Sequence, residues 1–252
     1  MKPSGPSLGA FTILEMLSVV SIVMLLALLL VPALNQTGDK ARRAHCLSNL
    51  HQTGLAFHSF LHDHGDAFPM DVSTNNGGTS EVLEASYLSH GEFYLASVHF
   101  QALSNDLGNA RVLICPTDLN RSTAADFASL GNKSVSYFVG ANADPDLANS
   151  ILAGDRNITG AAGSPRSLVR LNEENPAGWT REMHGLKGNQ LFADGHVERV
   201  NQPRVRLPRR NAPSMMDLML PTIKSSAPPS ALASLSAPEL SALLGRPGFT
   251  LP

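Results

Sequence analysis

The stretch GAFTILEMLSVVSIVMLLALLLVPALN, which runs from Gly9 to Asn35, decides how this sequence is interpreted. Between Phe11 and Leu34 it contains no Lys or Arg and a single carboxylate, Glu15. A helix rises about 1.5 Å per residue, so a helix of this length crosses the roughly 30 Å hydrocarbon layer of a bilayer. The sequence therefore predicts a transmembrane helix over residues 11–34.

A secretory signal peptide is the alternative interpretation of the same residues. The weakly charged start at Lys2, the apolar centre and the small residues Val31-Pro32-Ala33 before Leu34 fit such a peptide. Against it, a carboxylate in the apolar region costs about 2.5 to 3.5 kcal/mol at a helix centre and less near an interface. An export tag has no use for Glu15, so the transmembrane interpretation is preferred.

The string AFTILE, which begins at Ala10, resembles the prepilin leader signature of type IV pilins and type II secretion pseudopilins. The resemblance implies cleavage between Ala10 and Phe11 by a prepilin peptidase, and N-methylation of Phe11. That cut makes Glu15 the fifth residue of the mature chain and Pro32 the twenty-second, as is common in these families. The family usually has Gly before the cut, whereas Gly9 lies one position too early here.

The resemblance also implies a role and a location. The chain would be a structural subunit of a type IV pilus or a type II secretion pseudopilus and not an enzyme, with other pilin or pseudopilin subunits and the inner membrane as partners. It would be a single-pass protein of the cell inner membrane with a periplasmic or extracellular head, and a fibre component after assembly. In a fibre, the buried Glu15 would pair with the amino group of Phe11 on a neighbouring subunit. Pro32 would bend the helix.

One observation opposes this orientation. The positive-inside rule favours the reverse, because the basic residues nearest the apolar segment follow it: Lys40, Arg42 and Arg43. The leader signature is more specific than this statistical rule, so the orientation that the signature implies is preferred.

The remaining chain predicts an α+β fold, in which the long helix packs on a small antiparallel sheet. The predicted parts are a leader (1–10), the transmembrane helix (11–34), an amphipathic helical stem (35–64), a head (65–202) and a mostly disordered tail (203–252) with a short helix around 238–244. Residues Ala110–Asp118 and Ser134–Asn142 have the pattern of strands.

A second motif lies near the end of the predicted head. Nine residues separate His184 from Asp194-Gly195, and this spacing resembles a subset of bacterial prepilin-like proteins. Asp-Gly between apolar residues predicts a tight hairpin with positive φ. The favoured interpretation gives Asp194 to the turn and His184 to a contact across the hairpin. Catalysis with His196, and binding of a ligand or of calcium, are the alternatives.

Two further pairs are candidates for chemistry. His58 and His62 are four residues apart on one helix face, a spacing that can hold a divalent metal, but a solvated helix end is the favoured interpretation. Cys46 and Cys115 are the two cysteines of the chain, and the alternatives for them are a disulfide or two buried thiols. No cofactor is predicted apart from calcium or another divalent metal at such positions.

Composition narrows the class of partner. The 252 residues have 19 Lys and Arg against 21 Asp and Glu, a formal net charge of -2, so no nucleic acid partner is expected. The second hypothesis for function is a membrane-tethered or exported module that binds a ligand or metal and uses the pilin helix as an anchor.

Overall fold

The computed structural model describes residues 12–88, 95–159, 168–207 and 210–223. Contacts divide the chain into two compact units, Met1–Arg42 and Arg43–Pro252. The predicted leader, the cut site with Ala10 and Phe11, and the predicted short helix at 238–244 lie outside the described residues.

Helix α1 runs from Ile13 to Asp63 and includes the position of Pro32. Thr12 caps its first turn, because its side-chain oxygen lies 3.3 Å from the backbone nitrogen of Glu15, which donates to it. The helix ends where the sequence predicted, at a turn in which Gly65 and Asp66 have φ angles of 67° and 60°. The backbone cannot continue a right-handed helix through two left-handed residues, so the chain turns away.

The predicted transmembrane helix is wrong. Across the described ranges, we find no helix with enough length and apolar character to span a bilayer. The predicted localisation as a single-pass inner-membrane protein is wrong for the same reason.

The part of α1 that belongs to the second unit buries one face. Its buried residues recur every three or four positions, which is the spacing of one helix face: Cys46, Leu50, Thr53, Phe57 and Phe60. The ring of Phe57 is fully buried and meets Phe68 and Phe100 edge to face, with centroid distances of 5.9 and 6.3 Å. This aromatic cluster anchors the helix in the core.

Short helices and 3-10 turns connect α1 to the sheet. They are a 3-10 turn at Thr74–Asn76, α2 (Ser80–Leu88), α3 (Ala96–Gln101), α4 (Ser104–Leu107), and 3-10 turns at Ala110–Leu113 and Asn132–Ser134. The predicted strand at Ala110–Asp118 is therefore wrong, because these residues form the 3-10 turn at Ala110–Leu113 and the loop that follows it. Asn109 explains the difference, because its side-chain oxygen accepts a hydrogen bond from the backbone nitrogen of Arg111 and begins a helical turn.

The structure is α+β with a six-stranded antiparallel sheet in the order β4-β8-β1-β2-β6-β7. Its strands, with the separate pair β3 and β5, are β1 (Tyr137–Gly140), β2 (Ile151–Asp155), β3 (Ile158–Thr159), β4 (Leu168–Leu171), β5 (Gly178–Trp179), β6 (Gly188–Phe192), β7 (Val197–Val200) and β8 (Met216–Met219). The predicted strand at Ser134–Asn142 contains β1.

Both faces of this sheet are buried. Tyr137 and Val139 face the core that contains the α1 residues, whereas Phe138 points into a second core around Trp179. The sequence predicted the packing of the long helix on the sheet but not this second core. The second core includes Met216 and Leu218 from β8, which lies in the segment predicted to be disordered. That prediction is wrong for β8, because its four residues are all buried between β1 and β4.

The buried His99 of α3 should make the stability of the fold sensitive to acid. Its ring is fully buried, its Nδ1 lies 2.7 Å from the hydroxyl of Thr79, and burial lowers its pKa to about 4. An unfolded histidine titrates near 6.5, so between about pH 6.5 and pH 4 only the unfolded state takes up this proton. The free energy of unfolding should fall across that window by about 3 kcal/mol from this group.

Chemical denaturation of the wild type and of His99→Asn at several pH values measures this contribution. Asparagine keeps a donor toward Thr79 but does not titrate, so the difference in stability between the two proteins should change between pH 6.5 and 4. A difference that is independent of pH would contradict the prediction. His62→Asn is the control, since the side chain of His62 is 90% exposed.

Candidate functional site

Three chain segments that carry polar residues meet beneath the sheet of the second unit. The loop after the 3-10 turn at Ala110–Leu113 brings Cys115 and Thr117, the end of β2 brings Asp155, and the loop before β6 brings His184. Helix α1 fixes the first loop, because the side-chain amide of Asn49 donates to the carbonyl of Ile114 at 2.9 Å. We call the group Cys46, Cys115, Thr117, Asp155 and His184 the histidine centre.

The side chain of His184 is 2% exposed and makes contacts from both ring nitrogens. Its Nε2 lies 3.2 Å from a carboxylate oxygen of Asp155 and 3.5 Å from the sulfur of Cys115. Its Nδ1 lies 3.3 Å from the hydroxyl of Thr117, which can donate or accept. The ring is therefore held in one orientation by groups from two other segments, the loop of Cys115 and Thr117 and the end of β2.

Asp155 is the buried charge of the histidine centre. One of its oxygens accepts hydrogen bonds from the backbone and side-chain nitrogens of Asn189, at 2.7 and 2.9 Å, and faces His184. Its other oxygen is buried and, among the described residues, has no hydrogen-bond donor. The charge also acts on Tyr137, whose pKa is raised well above its ordinary value by burial and, to a smaller extent, by Asp155.

A disulfide joins Cys46 of α1 to Cys115, with the two Cα atoms 4.9 Å apart. The sequence left the choice between this bond and two buried thiols open. Both cysteines are fully buried, and the bond lies directly beside His184. It therefore links the long helix covalently to the loop that carries Thr117.

A buried ion pair flanks the histidine centre. Arg156 makes two hydrogen bonds of 2.7 Å to the carboxylate of Asp118 and a third of 2.9 Å to Glu182. Burial alone would lower the pKa of Arg156, but the bonds to these carboxylates outweigh it and raise the pKa. Each of these residues is next to, or two residues from, a member of the centre, so the ion pairs hold the same three segments together.

The Asp-Gly turn lies where the sequence predicted, but the described partners of His184 lie outside the hairpin. The carboxylate of Asp194 accepts a hydrogen bond from the backbone nitrogen of His196 at 3.1 Å and also contacts the imidazole of His196, whereas His184 contacts Asp155. The motif residues His184, Asp194 and Gly195 thus serve two different contacts. The hairpin of β6 and β7 is present as predicted, but only Gly195 has positive φ, at 86°.

The turn packs on α1. A Cβ atom on Gly195 would lie 3.1 Å from Nε2 of His58, and one on Gly54 would lie 2.7 Å from a methyl of Leu191. Glycine is needed at 195 for both its backbone angle and its closeness to the helix. His58 therefore contacts the Asp-Gly turn, which the helix periodicity alone did not indicate.

The predicted metal pair His58 and His62 has no third ligand in the described part of the chain. His62 is exposed and lies 3.6 Å from Asp63, while His58 faces the turn. Cys46, Cys115 and His184 form the group with metal-ligand potential within these ranges, with one ligand atom from each within 4.8 Å of the others.

Sequence reasoning missed Asp155, Thr117 and the pair Asp118 and Arg156. A signal was present, because the apolar run ILAG is followed directly by Asp155 and Arg156, and the strand-like run at Leu113 is followed by CPTD. Charges that close a buried strand must find partners nearby. The sequence could not say which partners they find.

The histidine centre is suited to holding three segments in a fixed arrangement. Comparison with known proteins adds no assignment, since no protein-family model, curated protein or solved structure matches this chain.

Proposed function

We propose that this chain is a prepilin-like structural subunit, which a prepilin peptidase processes between Ala10 and Phe11. The processed chain assembles with other pilin or pseudopilin subunits into a type IV pilus or a type II secretion pseudopilus. The observation that carries the proposal is the exposed apolar surface of α1 from Ile13 to Leu28.

This surface surrounds the helix. Twelve large apolar side chains in this stretch are more than half exposed, including the first, Ile13, at 86% and the last, Leu28, at 74%. Removing apolar surface from water is favourable by about 25 cal/mol of free energy per Å². A contiguous surface of this kind therefore favours association. Equivalent helices of neighbouring subunits would cover every side of it, as in a bundle.

Glu15 is the exception within this apolar surface. It is exposed in the single chain and lies in the first turn of α1, where a carboxylate is favourable near the positive end of the helix dipole. Bundling would bury it, and a buried carboxylate needs a cationic partner. Cleavage after Ala10 would create such a partner, because the new amino group lies on Phe11, just before the helix begins.

The head also fits a structural role. Within the histidine centre, Asp155 and the side chain of His184 are buried and in contact, and a disulfide links the centre to α1. These contacts support a rigid scaffold.

Glu15→Gln should reduce fibre yield by about tenfold or more while leaving the head folded. The substitution keeps the shape of the side chain but removes its charge, so the amine of a neighbouring subunit would be buried without a partner, at several kcal/mol. Electron microscopy of sheared fibres measures the yield, and circular dichroism checks the fold. Glu84→Gln is the matched control, because Glu84 is an exposed carboxylate of α2. Normal assembly of Glu15→Gln would contradict the proposal.

Mass spectrometry of the mature amino terminus tests the processing step separately. The expected result is a methylated Phe11. An unmodified start at Leu34 would indicate a signal peptide, and a retained Met1 would refute processing.

A further inference from the structure

We infer that, once its disulfide is reduced, this chain binds a divalent transition-metal ion such as Zn²⁺ through the thiolates of Cys46 and Cys115 and Nε2 of His184. The inference goes beyond the proposed assembly role, and neither depends on the other. It also moves the metal site away from the His58 and His62 pair.

The distance between His184 and Cys115 already fits this ion. Zinc binds sulfur at about 2.3 Å and imidazole nitrogen at about 2.1 Å in tetrahedral geometry, which places the two ligand atoms about 3.6 Å apart. Nε2 of His184 and the sulfur of Cys115 are 3.5 Å apart. The sulfur of Cys46 lies within 4.8 Å of that nitrogen. Only the two sulfurs must separate, because they are bonded to each other in the oxidised chain.

The surroundings favour a cation. Asp155 is fully buried, and one of its oxygens lacks a hydrogen-bond donor among the described residues, so its charge is incompletely compensated. The other oxygen lies 3.2 Å from the same nitrogen of His184. A metal bound at Nε2 would therefore lie close to this carboxylate, whose oxygen is a candidate for the fourth ligand.

The hydroxyl of Thr117 can form a hydrogen bond with Nδ1 of His184 both with and without a bound metal. With Nε2 protonated toward Asp155, Nδ1 accepts a hydrogen bond from the hydroxyl of Thr117. When the metal takes Nε2, the proton shifts to Nδ1 and is donated to the same hydroxyl. Such an outer partner orients a metal-binding imidazole, and its loss typically costs 10- to 100-fold in affinity.

A phosphine is the reductant that converts the disulfide into two thiols. The disulfide takes up two electrons and two protons and becomes two thiols, while phosphorus is oxidised to the phosphine oxide with an oxygen from water. Binding of M²⁺ then releases the two thiol protons. Thiolate and imidazole ligands suit zinc and related ions better than calcium or magnesium.

Titration of the untagged full-length chain with Zn²⁺ and with Co²⁺ tests the inference. The phosphine-reduced chain should bind one equivalent of Co²⁺ with sulfur-to-metal charge-transfer absorption and tetrahedral bands, and Zn²⁺ should displace it. The oxidised chain should bind neither ion there. Equal binding by both redox forms, or no charge-transfer absorption in the reduced form, would overturn the inference.

Variants locate the site. His184→Gln should weaken Zn²⁺ binding by about 100-fold and Thr117→Val by about tenfold, whereas His62→Gln should change nothing. Unchanged affinity in His184→Gln would overturn the inference. If reduction disorders the chain, Zn²⁺ should restore the near-ultraviolet circular dichroism of the folded state, since binding and folding are then coupled. Failure to restore it would count equally against the site.

Discussion

Reduction of the Cys46–Cys115 disulfide in the absence of metal should lower the free energy of unfolding by about 4 kcal/mol. The bond joins residues 69 positions apart, and in the chain-entropy treatment a closed loop of that length restricts the unfolded chain by this amount. The folded state loses little, because both cysteines lie in a packed core to which Leu50 and Phe57 of α1 also contribute. Urea denaturation with and without a phosphine, in the presence of a chelator, measures the difference.

The double variant Cys46→Ala/Cys115→Ala separates the disulfide from other effects of the reductant. Its stability should match that of the reduced wild type within about 1 kcal/mol and should not respond to the phosphine. Equal stability of the oxidised and reduced wild type would show that the bond does not stabilise this fold.

Asp155→Leu should destabilise the fold by about 3 to 5 kcal/mol, as expected when one partner of a buried polar network is removed. Leucine has a similar volume, but it leaves both nitrogens of Asn189 and Nε2 of His184 without an acceptor. Thermal or urea denaturation measures the loss. The matched control is Asp63→Leu, because the side chain of Asp63 is 69% exposed and the change should stay within about 0.5 kcal/mol.

A double-mutant cycle sharpens this test. Adding His184→Leu to Asp155→Leu removes both partners, so the second substitution should cost less than it does in the wild-type background. Strict additivity of the two losses would mean that the contact between Asp155 and His184 contributes nothing to stability.

At the candidate site, the sequence indicated an important histidine but not the residues that it contacts. The motif drew attention to the right histidine and assigned Asp194 to the turn, but the contact expected for His184 across the hairpin is wrong, because a linear spacing does not measure distance in a folded chain. The carboxylate that His184 meets belongs to β2, which is hydrogen-bonded to β6. No local pattern in either segment encodes that pairing.

The sequence pattern of the apolar segment also led to a wrong prediction. Counting apolar residues predicted a transmembrane helix, whereas the described helices do not include one that can span a bilayer. The helix itself, its capped start at Thr12 and its end before Gly65 follow local rules of capping and backbone conformation, and such rules are readable from neighbouring residues.

The sequence by itself thus determined the helix over most of its length, the hairpin at Asp194-Gly195 and the α+β class, because each depends on periodicity or turn chemistry within a few residues. The tertiary structure decided that β8 enters the middle of the sheet, that Gly195 packs against His58, and that His184 meets Asp155 and the cysteines. These contacts join segments far apart in the chain, and their energy comes from burial and from satisfied polar groups, which exist only once the core has formed.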